Sequence, residues 1–298
     1  MARIGSFRFQ PICRPLWLFL IFLCSVCPQL FASEIRIVSL SPSLTELICD
    51  MGMADCLVGR STACDYPESV KSVPVVGDFG RPNWERIIRI NPDAVVATDL
   101  ERPAMLKRLK SAGIHVLLLP CENWKALLDA ARSISQAAGR SESGEDWISN
   151  MQARRDALQE RVQTFYAGRP RLRVYAEVWG NPLTTPSGST FISDLITLAG
   201  GINIAETLDG KYVHVSAEWV VRQDPDVILL AYMLGSADAA VVVKSRVGWS
   251  ALRAVRNDAI CSSVPPDHLL RPGPRMLDGA KAFAEWLMQK SGDGGVVE

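Results

Sequence analysis

The feature that most constrains this chain is a repeat. The run Asn83-Trp84-Glu85-Arg86-Ile87-Ile88-Arg89-Ile90-Asn91-Pro92-Asp93-Ala94-Val95-Val96 parallels Ser216-Ala217-Glu218-Trp219-Val220-Val221-Arg222-Gln223-Asp224-Pro225-Asp226-Val227-Ile228-Leu229. Each copy opens on a capping residue, places Glu in the first turn, follows it with an apolar pair and an Arg four residues after the Glu, and then reaches Pro-Asp and an apolar run. Asn and Ser caps satisfy free helical N–H groups, and a first-turn carboxylate complements the helix dipole. Proline stops the helix, and the apolar run that follows reads as a buried strand. A chain that uses this unit twice is built from two similar α/β halves.

The rest of the pattern agrees. Strands are expected over 35–40, 93–98 and 115–119, with helices over 44–53, behind a Ser41 or Ser43 cap, and over 103–111, ended by Gly113. Strand-helix alternation of this kind gives a parallel sheet covered by helices. Between the halves, Trp147, Ile148, Met151, Leu158, Val162 and Phe165 recur at helical spacing while Arg154, Arg155, Asp156 and Glu160 take other faces. One long amphipathic helix over 142–166 follows, stopped by Gly168-Arg169-Pro170. A second series then has a strand over 172–178, a helix over 191–199 closed by Gly200-Gly201, and a final helix over 275–290. The expected architecture is α/β, with two similar lobes of parallel-type sheets flanked by helices and joined by a single long backbone helix. The expected boundaries are 34–140 for the N-terminal lobe, 141–168 for the linking helix and 169–292 for the C-terminal lobe.

Residues 1–33 differ in composition. Arg3, Arg8 and Arg14 precede an apolar run over 16–26, with no acidic residue and with Ala32 and Ser33 after it. The run falls well short of the ~20 residues that span a bilayer, so the segment reads as a cleaved secretory signal and the mature chain as exported to the periplasm. Leu23 and Val26, which precede Cys24 and Cys27, are bulky for a lipid-attachment site. Whole-chain charge is balanced, 32 Lys and Arg against 32 Asp and Glu, and no basic patch stands out, so no nucleic-acid partner is expected. Five cysteines remain after the signal, Cys49, Cys56, Cys64, Cys121 and Cys261. The odd count leaves at least one thiol unpaired, and no C-x-x-C spacing suggests structural zinc. Mostly buried thiols with at most one disulfide are expected.

Catalytic patterns are missing: there is no G-x-S-x-G elbow, P-loop, H-E-x-x-H or G-x-G-x-x-G after a strand. The three histidines, His115, His214 and His268, are scattered. An exported α/β enzyme of unknown reaction stays open as an alternative, but no catalytic residue and no cofactor is named by the sequence. Two α/β lobes behind an export signal point instead to a solute receptor with its site between the lobes, near strand carboxyl ends.

Ile37-Val38-Ser39-Leu40-Ser41-Pro42-Ser43-Leu44-Thr45-Glu46, Cys64-Asp65-Tyr66-Pro67, the two Glu…Pro-Asp repeats and Arg271-Pro272-Gly273-Pro274-Arg275 together resemble the helical-backbone periplasmic binding proteins of ABC importers, most nearly the cobalamin-binding branch. The resemblance runs over about residues 35–290. It implies a protein, monomeric when free, that captures cobalamin or a related corrinoid and delivers it to a permease dimer in the inner membrane. A haem or ferric-siderophore receptor of the same architecture is the alternative. By the same resemblance Glu85 and Glu218 occupy permease-docking positions. Asp267, His268, Leu269, Leu270 and Arg271 lie where such receptors contact the corrinoid, and Phe79 and Tyr212 fall at aromatic pocket positions. Ala63 and Thr98 depart from the family, standing where an aromatic residue can occur. Trp179, just after a predicted strand, is a further cleft candidate. His268 or Cys64 could offer a donor atom to a metal-centred ligand, although no resident metal site is expected. Asp65 reads as a turn-fixing acceptor.

Overall fold

The structure is a computed structural model that describes Met1, residues 35–232 and residues 236–293. The expected signal over 1–33 lies outside those residues, Met1 excepted. Residues Ile35–Glu298 form one compact unit.

The first half runs β1 (Ile37–Ser39), α1 (Pro42–Asp50), β2 (Leu57–Ser61), β3 (Val75–Asp78), β4 (Arg81–Pro82), α2 (Trp84–Ile90), β5 (Ala94–Ala97), α3 (Pro103–Ser111), β6 (His115–Leu118) and α4 (Trp124–Ala137). After α5 (Ser141–Phe165), the second half begins with β7 (Arg173–Glu177), β8 (Trp179–Gly180), β9 (Leu183–Pro186), α6 (Phe191–Leu198), β10 (Ile202–Asn203) and β11 (Tyr212–His214). It continues through α7 (Ala217–Gln223), β12 (Val227–Leu230), α8 (Ser236–Ser245), α9 (Arg253–Arg256), β13 (Ile260–Cys261), α10 (Pro266–Leu270) and α11 (Met276–Asp293).

Two sheets result. The first has the order β4-β3-β2-β1-β5-β6 and is parallel apart from the β3–β4 hairpin. The second, β10-β7-β12-β13, is parallel throughout. A small antiparallel sheet, β11-β9-β8, belongs to the second half. The repeat sits at the same place in both lobes. Asn83 Oδ1 accepts from Arg86 N at 3.0 Å and caps α2, and Ser216 Oγ accepts from Trp219 N at 3.1 Å and caps α7. Asn91 and Asp224 end those helices in the left-handed region. The Pro-Asp carboxylates then accept from the first residue of the neighbouring strand region, Arg36 N to Asp93 and Arg173 N to Asp226, both at 2.8 Å.

Strand alternation divides the core. Ile37, Ala94 and Val96 of the first sheet, with Val174, Ala176, Val227 and Leu229 of the second, join one cluster that also takes the buried faces of α1, α4, α5, α6 and α11. The opposite faces bury Val38, Val95 and Ala97 against α2 and α3, and Tyr175, Ile228 and Leu230 against α7 and α8. Each sheet is therefore covered on both sides, as parallel sheets require.

The long helix α5 has 25 residues, about 37 Å of rise, one residue earlier at each end than the periodicity predicts. Trp147, Ile148, Met151, Leu158 and Val162 are its buried stripe. Gly144 lets it approach α4 closely, since a Cβ there would stand 2.0 Å from Ser135 Oγ. Trp147 Nε1 donates to Asp50 of α1 at 2.6 Å, and Arg154 and Arg161 pair with Asp278 and Glu285 of α11. The cap of α1 is Ser41, but its hydroxyl makes no capping bond, and Pro42 at the first helical position sets the start. Cys49, Cys64, Cys121 and Cys261 are free thiols, so the possible disulfide among them does not form. No helix among the described residues is long and apolar enough to cross a membrane.

Candidate functional site

The chain bends into α-helix or loop directly after each parallel strand of the first sheet, and those bends converge on a cavity of about 500 Å³. Ser41 and Ser43 follow β1, Ala63 follows β2, Thr98 and Asp99 follow β5, and Cys121 and Glu122 follow β6. The second half closes the other side with Thr190 and Phe191 at the start of α6, Lys211 and Tyr212 at β11, and Asp267, Leu270 and Arg271 from α10 and its end. Phe79, on the turn between β3 and β4, and Tyr212 are both exposed rings of this wall. A cavity with a mainly apolar lining and a few placed polar groups suits a large, flat ligand.

Two ionic groups tie the halves together around it. Lys211 pairs with Glu122 across the cavity. Deeper, Glu46 of α1 is 2% exposed and accepts from two guanidinium groups, Arg271 Nη1 at 2.9 Å and Arg275 Nε at 2.8 Å. Arg271 also donates to Asp65 at 2.7 Å and reaches Asp267 at 3.3 Å, and Arg275 lies over the Tyr66 ring at 4.1 Å. A buried carboxylate is tolerated only when paired in this way. Asp65 is thus an ion-pair partner rather than a turn acceptor, and the Arg271 hydrogen bond holds it below the usual carboxylate range. Burial, with the Asp99 and Glu122 carboxylates beside it, pushes the Tyr212 phenol up to about 12, and burial pushes the Cys121 thiol up to about 12. Thr98 Oγ1 is buried without a hydrogen-bond partner among the described residues, and the nearby Glu101 carboxylate is buried beside the Gly80 backbone N–H. Burial raises the Glu101 pKa.

Of the residues singled out by sequence, Phe79, Tyr212, Asp267, Leu270 and Arg271 meet in this wall, as do the departing positions Ala63 and Thr98. His268 and Leu269 do not line it. Asp267, Leu270 and Arg271 are spaced i, i+3, i+4 and share one face of α10, which turns the two residues between them away. Leu269 is fully buried in the main core. His268 is half-buried where α10 meets α11, its carbonyl against Gly279, and burial and Arg275 lower its pKa. Trp179 is 58% exposed in β8 and donates to the Asn181 carbonyl at 2.7 Å, outside the cavity wall. Cys64 is fully buried, its Sγ 3.1 Å from Ser61 Oγ, and does not reach the cavity. Among the described residues no three His, Cys, Asp or Glu side chains are grouped to hold a metal ion. Asp99, Cys121, Glu122 and Lys211 were not foreseen. The first three sit just past predicted strand ends, the place where α/β sheets bind ligands, and that rule alone could have found them.

Glu85 and Glu218 lie apart from the cavity lining, each exposed in the first turn of its repeat helix. Three residues on, Ile88 and Val221 are each 36% exposed. Glu218 is held below the usual carboxylate range by hydrogen bonds from its own backbone N–H and the Ser216 hydroxyl.

The geometry agrees with comparison to known proteins. An uncharacterized ABC transporter substrate-binding lipoprotein of Bacillus subtilis, YvrC, is 31% identical over 255 residues, 84% of this chain and 79% of the relative. Among solved structures, the periplasmic vitamin B12 binding protein BtuF of Vibrio cholerae superposes with a TM-score of 0.72 at 26% identity, covering 86% of this chain and 97% of that one. The periplasmic heme binding protein HutB of Vibrio cholerae gives 0.75 at 25% identity, covering 86% and 99%. The family described as "Periplasmic binding protein" matches residues 37–263, through both sheets and the helix between them, and the chain belongs to that family.

Proposed function

We propose that this protein captures cobalamin or a related corrinoid in the cavity at the strand ends and hands it, without turnover, to an ABC permease dimer in the inner membrane. Residues 1–33 act as a signal removed on export to the periplasm, and the mature protein is a monomer when free. Residues 34–140 and 169–292 serve as the two lobes that grip the ligand, with 141–168 as the link. The observation that carries this function is the cavity wall. Phe79 and Tyr212 come from opposite halves of the chain to one apolar space, and similarity to a vitamin B12 binding protein supports a corrinoid as its occupant.

A haem ligand is the second candidate, favoured by the likeness to HutB. Ferric haem would need a donor, and the donors in view are poor. Burial, with Asp99 and Glu122 beside it, raises the Tyr212 pKa and disfavours the phenolate that ferric iron would take, while His268 and Cys64 do not line the cavity. Titration calorimetry of the exported form against cyanocobalamin, haem and a ferric hydroxamate tests the choice. One-to-one binding of the corrinoid is expected; one-to-one binding of haem alone, with a Soret shift, would replace it with the haem function.

Glu85 and Glu218 are the permease contacts in this proposal. Each projects from a capped helix beside an exposed aliphatic residue at i+3, so the two lobes offer the same small motif, a carboxylate next to Ile88 or Val221. A two-fold permease with arginines at matching positions could engage both at once.

A further inference from the structure

We infer that the cavity selects ligands of net positive charge, and therefore favours a corrinoid that lacks the anionic phosphodiester of its nucleotide loop. The assignment comes from the state of each charged group around the cavity. Both cations of the wall are already committed: Lys211 is paired with Glu122, and Arg271 with Glu46, Asp65 and Asp267. Behind it, Arg275 is committed to Glu46 and Asp267. Asp99, in contrast, is exposed at the end of β5 with no hydrogen bond or close ion pair among the described residues, and the cation it faces, Lys211, is already bonded to Glu122. In and directly behind the wall, the carboxylates Glu46, Asp65, Asp99, Glu122 and Asp267 outnumber the cations Lys211, Arg271 and Arg275 by two.

A second observation marks the same place. Thr98, next to Asp99, is 7% exposed and lines the cavity, yet its Oγ1 has no partner among the described residues. Buried hydroxyls are normally satisfied, so a group on the ligand is the natural partner. A carboxylate that shares its nearest cation with Glu122, beside an unsatisfied hydroxyl and against apolar walls, favours a cation with amide or hydroxyl donors. It disfavours a ligand that brings carboxylates or a phosphate of its own, because a like charge in a low-dielectric pocket finds no free cation to meet it. Cobinamide in its aquocyano form is a cation. Cyanocobalamin is neutral because its phosphate offsets the charge on cobalt, and haem carries two propionates.

The corrinoid identity rests on the function proposed above; the sign of the charge does not, and the test separates them. Affinities are measured for aquocyanocobinamide, cyanocobalamin and haem, and for a second pair of ferric hydroxamates, cationic ferrioxamine B and neutral ferrichrome. For the cation of each pair that binds, raising salt from about 20 to 200 mM should weaken binding roughly three- to tenfold, with little change for the neutral member. D99N should reduce that salt dependence and lower the cation-to-neutral affinity ratio about threefold, and D99K should lower it further. Asp99 is exposed, so folding should tolerate both changes. If neither corrinoid binds but ferrioxamine B is preferred over ferrichrome, the corrinoid function fails and the charge selection stands. Tighter binding of haem or of the neutral members, no binding of either cation, or an unchanged ratio in D99N and D99K would overturn the inference.

Discussion

The two lobes begin alike and end differently. At the amino ends of their strands they are near copies: Asp93 and Asp226 hold the backbone of Arg36 and Arg173, and Arg36 and Arg173 side chains in turn donate to the closing carbonyls of α2 and α7, at Ile90 and Gln223. At the carboxyl ends the resemblance stops. In the first lobe β1 runs out into Ser41 and Ser43 and β5 into Thr98 and Asp99, all on the cavity wall. In the second lobe β7, the counterpart of β1, ends at Glu177, fully buried and closed off by Arg246 at 2.7 Å on each carboxylate oxygen and by the hydroxyl of Tyr232, which follows β12, the counterpart of β5. Arg246 also lies over the Trp249 ring at 4.5 Å. One strand end is a site and its counterpart is a structural plug. Under the proposed function a two-fold permease asks for two equal contacts and a single ligand for one asymmetric site, a division that the places where the repeat is kept or lost would match.

The comparison can be broken first at the kept ends. Reversing both Glu85 and Glu218 to Arg should abolish uptake in vesicles reconstituted with the cognate permease, while ligand affinity and melting stay near wild type. Both side chains are exposed and outside the cavity, so loss of ligand binding would instead place them in ligand capture, and normal uptake would leave the repeat as a capping device only.

Next come the two buried carboxylates. E177A strands Arg246 and should cost about 3–5 kcal/mol in chemical denaturation, the range for breaking a buried pair by removing one partner, whereas E46A leaves Arg271 with Asp65 and Asp267 and Arg275 with Asp267 and should cost less. The two should differ in binding. E46A removes one of the partners that hold Arg271 in the cavity wall and should alter affinity, whereas Glu177 lies outside the wall. Equal binding defects would mean that the plug of the second lobe also shapes the site.

A smaller effect is expected from Y212A, which should weaken corrinoid binding by about 1–3 kcal/mol if the ring packs on the ligand, as titration calorimetry would read. The smallest concerns Glu101. Burial raises its pKa in the folded state, so the folded protein holds that proton more tightly than the unfolded chain does. Its contribution therefore favours folding below the ordinary Glu range and is lost as pH rises through the raised value. E101Q should remove that loss and raise Tm at neutral pH relative to wild type, with the gap closing in acid.

What could be read in advance follows the same division. The kept ends were legible because their signals are local: a cap, a first-turn Glu, Pro-Asp and an apolar run lie within fourteen residues, and α5 declared itself by a long apolar stripe. Helix α4, which begins at an Asn123 cap, was missed between stronger signals, and the strands of the β11-β9-β8 sheet are too short to show a period of two. The lost ends were legible only in part. Sequence similarity marked 267–271 as one block, but α10 winds it so that Leu269 enters the core and only one face reaches the cavity. Pairs such as Lys211 with Glu122, 89 residues apart, and Glu46 with Arg271, 225 apart, come from how the lobes meet and leave no mark on either local stretch.

The most direct test of the account is a crystal structure of the exported form with a bound corrinoid. The ring should lie in the cavity at the carboxyl ends of the first sheet, between Phe79 and Tyr212, with Thr98 and Asp99 against its edge and the Glu177–Arg246 plug untouched. A corrinoid seated away from those residues, against Trp179 or in an opened Glu177 cluster, would contradict the division of labour between the two strand ends.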